Sequence, residues 1–253
     1  LKYLGYNIRV IPNHPKLTLI RCVLMHFGFF IFFISLEKLS LSTVTALFFA
    51  APFFITILSA LVLSERIGLI RVLIIFLGFI GVFLIVKPFK ESEFSLFMLA
   101  PLFTAFSYAV AMVISKYTKE NENAFLQEFQ QYSVSLLLSV ITYTTILVFP
   151  LDMIDKEEWR FIFGSIKFDN YNILISIAIL SIFGTLGMTS LIHAYQVGSP
   201  ITNGPTEYVL LILAIMNGYF FFGNIPDYLS LAGIILIILG GWALFFREHK
   251  RNK

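Results

Sequence analysis

The sequence predicts an all-α fold, a polytopic transmembrane helix bundle, on three observations. Hydrophobic residues fill 58% of the 253 positions and charged residues 13%, about half the share expected of a soluble domain. The apolar residues are gathered in eight segments of spanning length, and mean hydropathy is +0.87. Two stretches of about 50 residues share one layout, which is the signature of an internal repeat. The runs do not alternate polar with apolar, so a membrane β-barrel is excluded. Cys22 is the only cysteine, so no internal disulfide is available.

In chain order, Leu1–Lys16 is a basic entry segment, too polar and short to span. The predicted spans are then Leu17–Leu36, Leu41–Leu63, Ile67–Val86, Phe94–Tyr117, Phe129–Phe149, Asn172–Tyr195, Ile201–Gly223 and Tyr228–Phe246. Most connections are a few residues long, which forces antiparallel neighbours. Two are longer: the polar Lys116–Glu128, and Asp152–Asn170, whose WRFIFGSIKF stretch reads as amphipathic and surface-lying. Alternating the connections across a membrane places 12 Lys and Arg on the side of both chain ends, namely Lys2, Arg9, Lys16, Arg21, Arg66, Arg71, Lys116, Lys119, Arg247, Lys250, Arg251 and Lys253. The other side holds 6 and most of the acids. The positive-inside rule makes the first side, and both ends, cytoplasmic.

The repeat pairs LEKLSLSTVTALFFAAPFFITILSALVLSERIGLIRVLIIFLGFIGVFLIV with YQVGSPITNGPTEYVLLILAIMNGYFFFGNIPDYLSLAGIILIILGGWALF. Each runs from a tight polar turn through a span and a short turn (LSERI; FGNIPD) to a glycine-marked span, without a gap. One copy starts outside and the other inside, so the repeats are inverted, an arrangement of secondary transporters with a site between the halves.

The same two stretches, together with GFIGVFLIVKP and the closing WALFFRE, resemble the EamA family of the drug/metabolite transporter superfamily. In that family a proline lies mid-span ahead of a turn glutamate, as Pro52 lies ahead of Glu65. The resemblance covers almost the whole chain and is specific for family, not substrate. It is closest to small bacterial carriers of S-adenosylmethionine, riboflavin or amino-acid type metabolites. It implies ten spans in a 5+5 inverted-repeat fold. Eight are present and Leu1 is not an initiator Met, so helix one and most of helix two are expected upstream. Residues 1–90 would then be the last three spans of the first repeat, and 91–253 the five of the second. Asn224 departs from the family, whose second repeat often has an acid there.

Glu207 is the acidic residue hardest to place in water. A span reaching Gly223 must begin near Ile201, which puts Glu207 about a third of the way in, where an acid is costly and normally faces a cavity or a partner. A capping role is open beside a functional one, with Gly204 as N-cap, Pro205 first and Glu207 third in the helix. Asn203 lies four residues before Glu207 and can share its face or act as a cap. Thr206 and Tyr208 flank the acid. His193 and Gln196 lie late in the sixth span and read as interfacial or substrate-facing. His26 is mid-span, for a cavity or a helix–helix bond. Tyr108 is a cavity candidate, while Ser107 beside it reads as bonded to its own backbone. Phe48–Phe49 and Phe53–Phe54 surround Pro52. They read as packing or as faces for a planar or cationic ligand, and Pro52 as a static kink or a hinge. Glu65 and Arg66 read as helix caps in a cytoplasmic turn. The glycines at 78 and 81, 184 and 187, and 240 and 241 read as close helix contacts.

The chain lacks HExxH, GxSxG, a P-loop and any Cys/His cluster. The expectation is a non-enzymatic secondary carrier of a small polar metabolite (amino-acid, nucleoside-like or amine type), working by alternating access in a bacterial inner membrane. The substrate-binding residues expected are Glu207, Tyr208, Asn203, His193, His26, Tyr108, Phe49 and Pro52. No cofactor and no metal are expected. The partners are the small-molecule substrate and the lipid bilayer and not nucleic acid, with proton coupling and homodimerisation left open. A lipid-flipping or channel-like member of the superfamily is the second reading, and an integral-membrane lipid enzyme or a non-transporting subunit the third.

Overall fold

The computed structural model describes residues 12–39, 41–65, 68–86, 96–148, 171–223 and 227–251. Among them the regular structure is helical throughout: α1 Pro15–Lys38, α2 Leu41–Phe48, α3 Ala51–Val62, α4 Leu69–Val86, α5 Leu99–Tyr117, α6 Ala124–Val148, α7 Tyr171–Val197, α8 Pro200–Thr206, α9 Val209–Phe222 and α10 Tyr228–Arg251, with a 3-10 turn at Leu96–Met98 leading into α5. Each of the eight expected spans coincides with helix among the described residues, and two of them are divided into two helices. The WRFIFGSIKF stretch lies outside the described residues.

Four of these stretches are long and apolar enough to cross a membrane: Pro15–Lys38, Val44–Val62, Leu99–Tyr117 and Tyr171–Val197. Leu69–Ile85 and Tyr228–Gly240 are shorter apolar helices. The surface they present suits lipid, as on α7, where Leu180 is 71% and Phe183 70% exposed. The core is a column of side chains from α1, α3, α5 and α7, including Met25, Ile55, Tyr108, Met112, Ile192 and Tyr195.

Proline places both breaks. Pro52, at the start of α3, has no N–H to return to the carbonyl of Phe48, so the regular bonding of α2 lapses there and Phe49–Ala50 form a kink, with Ala50 still in the right-handed helical region. Pro205 withholds an N–H from the carbonyl of Ile201, and α8 closes at Thr206 with Glu207 and Tyr208 in the gap. Positions of the second repeat lie 159 residues after their counterparts, as Tyr195 does after Leu36. On that spacing the starts of α2 and α8, and of α4 and α10, coincide, and the two breaks fall together. Phe49 is the counterpart of Tyr208. The two stand against each other, ring centroids 5.7 Å apart, with the Tyr208 hydroxyl donating to the Phe49 carbonyl at 3.4 Å.

The closing helices of the two repeats, α4 and α10, pack along each other. A Cβ added to Gly81 would lie 2.8 Å from the Gly233 carbonyl, and one on Gly233 2.6 Å from the Gly81 carbonyl. Ile74 meets Gly240 at the other end of the crossing, so the helices are antiparallel. The counterparts of Gly81 and Gly233 are Gly240 and Ile74, so the second contact is the repeat image of the first. A Cβ on Gly240 would be in ordinary contact with Ile74 at 3.7 Å, while Gly78 and Gly81 are at close contacts, as expected. Gly184 and Gly187 are not: a Cβ on either meets nothing within 4 Å, because both face outward from α7.

Candidate functional site

The gap between α8 and α9 carries Glu207 into the bundle. Seven residues of α8 at 1.5 Å each set it about 10 Å from the end where that helix begins. The earlier capping arrangement, with Pro205 first and Glu207 third in a helix, does not form. Pro205 is the sixth residue of α8, Glu207 closes that helix, and α9 starts two residues later. The backbone stays bonded through the junction, with Tyr208 N–H donating to the Pro205 carbonyl at 3.3 Å and Leu210 N–H to the Glu207 carbonyl at 3.0 Å.

Two phenols converge on one carboxylate oxygen. Tyr108 of α5 donates to Glu207 Oε1 at 2.8 Å, and Tyr195 of α7 donates to the same atom at 2.5 Å. Both rings are buried, at 4% and 0% exposure. No hydrogen bond to Oε2 is described, and Glu207 is half-buried, so that oxygen keeps some accessible surface. Phe48, the counterpart of Glu207 in the first repeat, has its ring 5.6 Å from that of Tyr108. Tyr208 is fully buried between Phe49 and Gly78.

Of the expected site residues, the structure brings Glu207, Tyr108, Tyr208, Phe49 and Pro52 to the two breaks. Pro52 forms the floor under α8, where its Cα and Cβ would lie 3.4 Å from a Cβ on Gly204. Three residues stand elsewhere. Asn203 turns away from Glu207 and donates to the Ala194 carbonyl at 2.6 Å, tying α8 to the end of α7, which is the cap alternative. His193 is exposed, because two residues before Tyr195 on a helix is about 200° around the axis. His26 is half-buried on α1 against the ring of Phe27, with no bond to the carboxylate. Tyr195 was not expected. It read as the last residue of a span, and only its spacing of 12 residues before Glu207, across a turn, connects the two. Among the described residues no group of three His, Cys, Asp or Glu could hold a metal ion.

A second polar region occupies the end where α1 and α6 begin and α5 and α7 finish. Arg21, counted above among the Lys and Arg on the side of both chain ends, is 2% exposed and donates to the Gln127 carbonyl and to Gln130 Oε1 at 3.0 and 3.1 Å. Thr18 donates to Glu122 Oε1 at 3.2 Å, and Gln196 to the Glu122 carbonyl at 2.8 Å. Burial raises the Glu122 carboxyl above its ordinary range, against the pull of Thr18 and Arg21. Lys116 reaches the carbonyls of Gln196, Val197 and Gly198, the exposed negative end of α7. Ser199 donates to Glu65 Oε2 at 2.5 Å, joining the second repeat to the first. Ser64, at φ 54, turns the chain out of α3 and delivers Glu65 to that bond.

Residues 5–87 match the family model described as the EamA-like transporter family. The chain is 24% identical over 251 residues to an S-adenosylmethionine uptake transporter of Rickettsia bellii (strain RML369-C), covering 98% of this chain and 78% of the relative. It is 25% identical over 213 residues to a pseudopaline exporter of Pseudomonas aeruginosa (strain UCBPP-PA14), covering 84% and 69%. An uncharacterized transporter of Helicobacter pylori (strain ATCC 700392 / 26695) is 26% identical over 214 residues, covering 83% and 66%. A crystal structure shares the fold at a TM-score of 0.77 over all of this chain and 83% of the other, with 14% identity.

Proposed function

From a chain that carries an EamA-like transporter domain and whose relatives are transporters, we propose a secondary carrier that moves a small polar metabolite across a bacterial inner membrane by alternating access. The observation that carries this reading is the meeting of two helix breaks inside the bundle, one of them holding Glu207. Backbone leaves the helix at membrane depth only where it is buried in protein or lines a cavity, and paired broken helices mark transporter sites. The two relatives whose names give a direction work in opposite senses, one by uptake and one by export. Direction belongs to gradients and coupling rather than to the shared frame. Residues 1–90 and 91–253 would rock as the two halves, with the α4–α10 crossing as pivot and both chain ends in the cytoplasm. Glu207 would bind a cationic group of the substrate or carry a coupling proton.

The test is reconstitution into liposomes with a metabolite panel, comparing wild type with Glu207→Gln. The variant keeps shape and most hydrogen bonds but cannot exchange charge. It is expected to insert normally and to lose transport. Full transport by the variant at several pH values would remove Glu207 from the mechanism.

A further inference from the structure

We infer that the Glu207 site selects an organic ammonium ion, held through the single oxygen Oε2, over guanidinium and zwitterionic ligands. This rests on the carrier reading above and names the ligand class of that site.

The argument starts from the acceptor capacity of one atom. A carboxylate oxygen has two lone-pair positions. On Oε1 both are taken, by Tyr108 at 2.8 Å and Tyr195 at 2.5 Å. Both phenols are buried, so water does not compete for them. Oε2 keeps its capacity and is reachable. A guanidinium gains its advantage by presenting two parallel N–H groups to two oxygens, and here one of the two is saturated. An ammonium is a point charge that needs one oxygen. The ring of Phe48, tilted 59° to that of Tyr108 at a centroid distance of 5.6 Å, is the aromatic group nearest to hand for the ligand's charge or its methyl groups.

Charge balance removes the zwitterion. No Lys or Arg among the described residues reaches Glu207. Lys16, Arg21, Lys38, Arg71 and Lys116 lie near the ends of α1, α4 and α5, away from the break. A ligand carboxylate would enter beside Glu207 with no cation among the described residues to receive it.

The experiment uses the full-length protein in nanodiscs and four probes of one shape: 2-phenylethylammonium, 2-phenylethylguanidinium, phenylalanine and 3-phenylpropionate. Binding by calorimetry is expected to favour the ammonium by about tenfold over the guanidinium and the zwitterion, with no binding of the anion. Glu207→Gln should abolish ammonium binding. Tyr195→Phe frees a lone pair on Oε1, so the guanidinium should gain about tenfold relative to the ammonium. Tyr108→Phe makes the same test should Tyr195→Phe fail to fold. A structural role for the phenols would lower both affinities together and leave the ratio fixed. A guanidinium bound as well as the ammonium by wild type, an unchanged ratio in both variants, or no binding of any probe overturns the inference. If zwitterions or anions cross liposomes carrying the protein while ammonium ions do not, the ligand class is wrong and the carrier reading stands. The carrier reading falls only if the metabolite panel also fails to move.

Discussion

Gly78→Ala should disturb the site from the far side of Tyr208. The added Cβ would lie 2.4 Å from Cε2 and 2.5 Å from Cδ2 of that ring, where ordinary contact begins at 3.4 Å. Tyr208 is 1% exposed and has Phe49 on its other face, so the ring has no free volume to enter. It must move by about 1 Å, which breaks the 3.4 Å bond to the Phe49 carbonyl and drags the residue next to Glu207. Overpacking of this kind costs about 1–3 kcal/mol, offset by up to ~1 kcal/mol from the better helix propensity of alanine. Thermal unfolding in detergent should therefore show a net loss of about 1 kcal/mol, and liposome transport should fall about tenfold or more, since misplacement by ~1 Å at a reacting group costs up to about 100-fold. Gly184→Ala is the control, with open space around its Cβ, and should leave both readouts unchanged or raise stability slightly. In a Tyr208→Leu background the stability cost of Gly78→Ala should largely vanish, because the two residues are coupled by contact. If Gly78→Ala and Gly184→Ala behave alike in wild type, the seating of Tyr208 by Gly78 is refuted.

Glu65→Gln or Ser199→Ala weakens the one direct side-chain bond described between the first repeat and the start of α8, and should raise thiol labelling of a cysteine at the fully buried Ile201 from the cytoplasmic side; unchanged labelling would mean that the bond does not hold that end shut. Lys116→Met leaves the α7 carbonyl end without its cation and should cost about 1–3 kcal/mol in thermal unfolding, against nothing if the lysine is only a solvated surface charge. Because burial raises the folded-state value of Glu122 above its unfolded one, the folded protein binds the extra proton in that window. Its contribution to stability is thus present at low pH and lost as pH rises through the folded value, so Glu122→Gln should flatten the pH dependence of unfolding just above the ordinary carboxylate range. An unaltered pH profile would exclude Glu122 as its source. Cysteines at Asn121 and Asp155 should label from opposite sides, Asn121 from the cytoplasm, with buried Cys22 silent; labelling from one side would end the eight-span topology.

Much of this fold was legible because lipid imposes a coarse rule. Eight apolar runs bounded by short polar turns leave few choices, and every run became helix. Depth and facing were harder. Hydropathy sees Leu41–Leu63 and Ile201–Gly223 as continuous, since a break two residues wide changes no average. The prolines that loosen both helices were visible, but which residues the loosened turn would hold was not. Arg21 entered the sequence reading only through the charge count, and the glutamines of α6 opposite reveal it as buried. His193 and Tyr195 are two residues apart and equally plausible in sequence. The helix turns one outward and the other onto Glu207, and which it is depends on packing against α5. The same holds for Gly184 and Gly187, whose spacing suits a helix crossing that no neighbour occupies.

The repeat itself explains why one acid suffices. A two-fold frame brings position 49 and its counterpart 208 together, as the Phe49–Tyr208 contact does. Positions 48 and 207 then flank that contact on opposite sides. Had both been glutamates, two carboxylates would share one low-dielectric region without a described cation, and like charges there destabilise each other. The first repeat instead supplies Phe48 and the second Glu207. One half contributes an aromatic face and the other a charge, and Tyr108 touches both, by ring contact to Phe48 and by hydrogen bond to Glu207. Exchange tests this division of labour. Phe48→Glu alone should bury an unpaired second acid and lose folded protein in the membrane, while Phe48→Glu with Glu207→Phe moves the charge to the counterpart position, where the frame could accept it but Tyr195, whose own counterpart is Leu36, cannot hold it. Lower membrane levels for the single change than for the double, with neither transporting, is the expected pattern. Transport by the double variant would mean that the frame alone makes the site and that the phenols of Tyr108 and Tyr195 are dispensable.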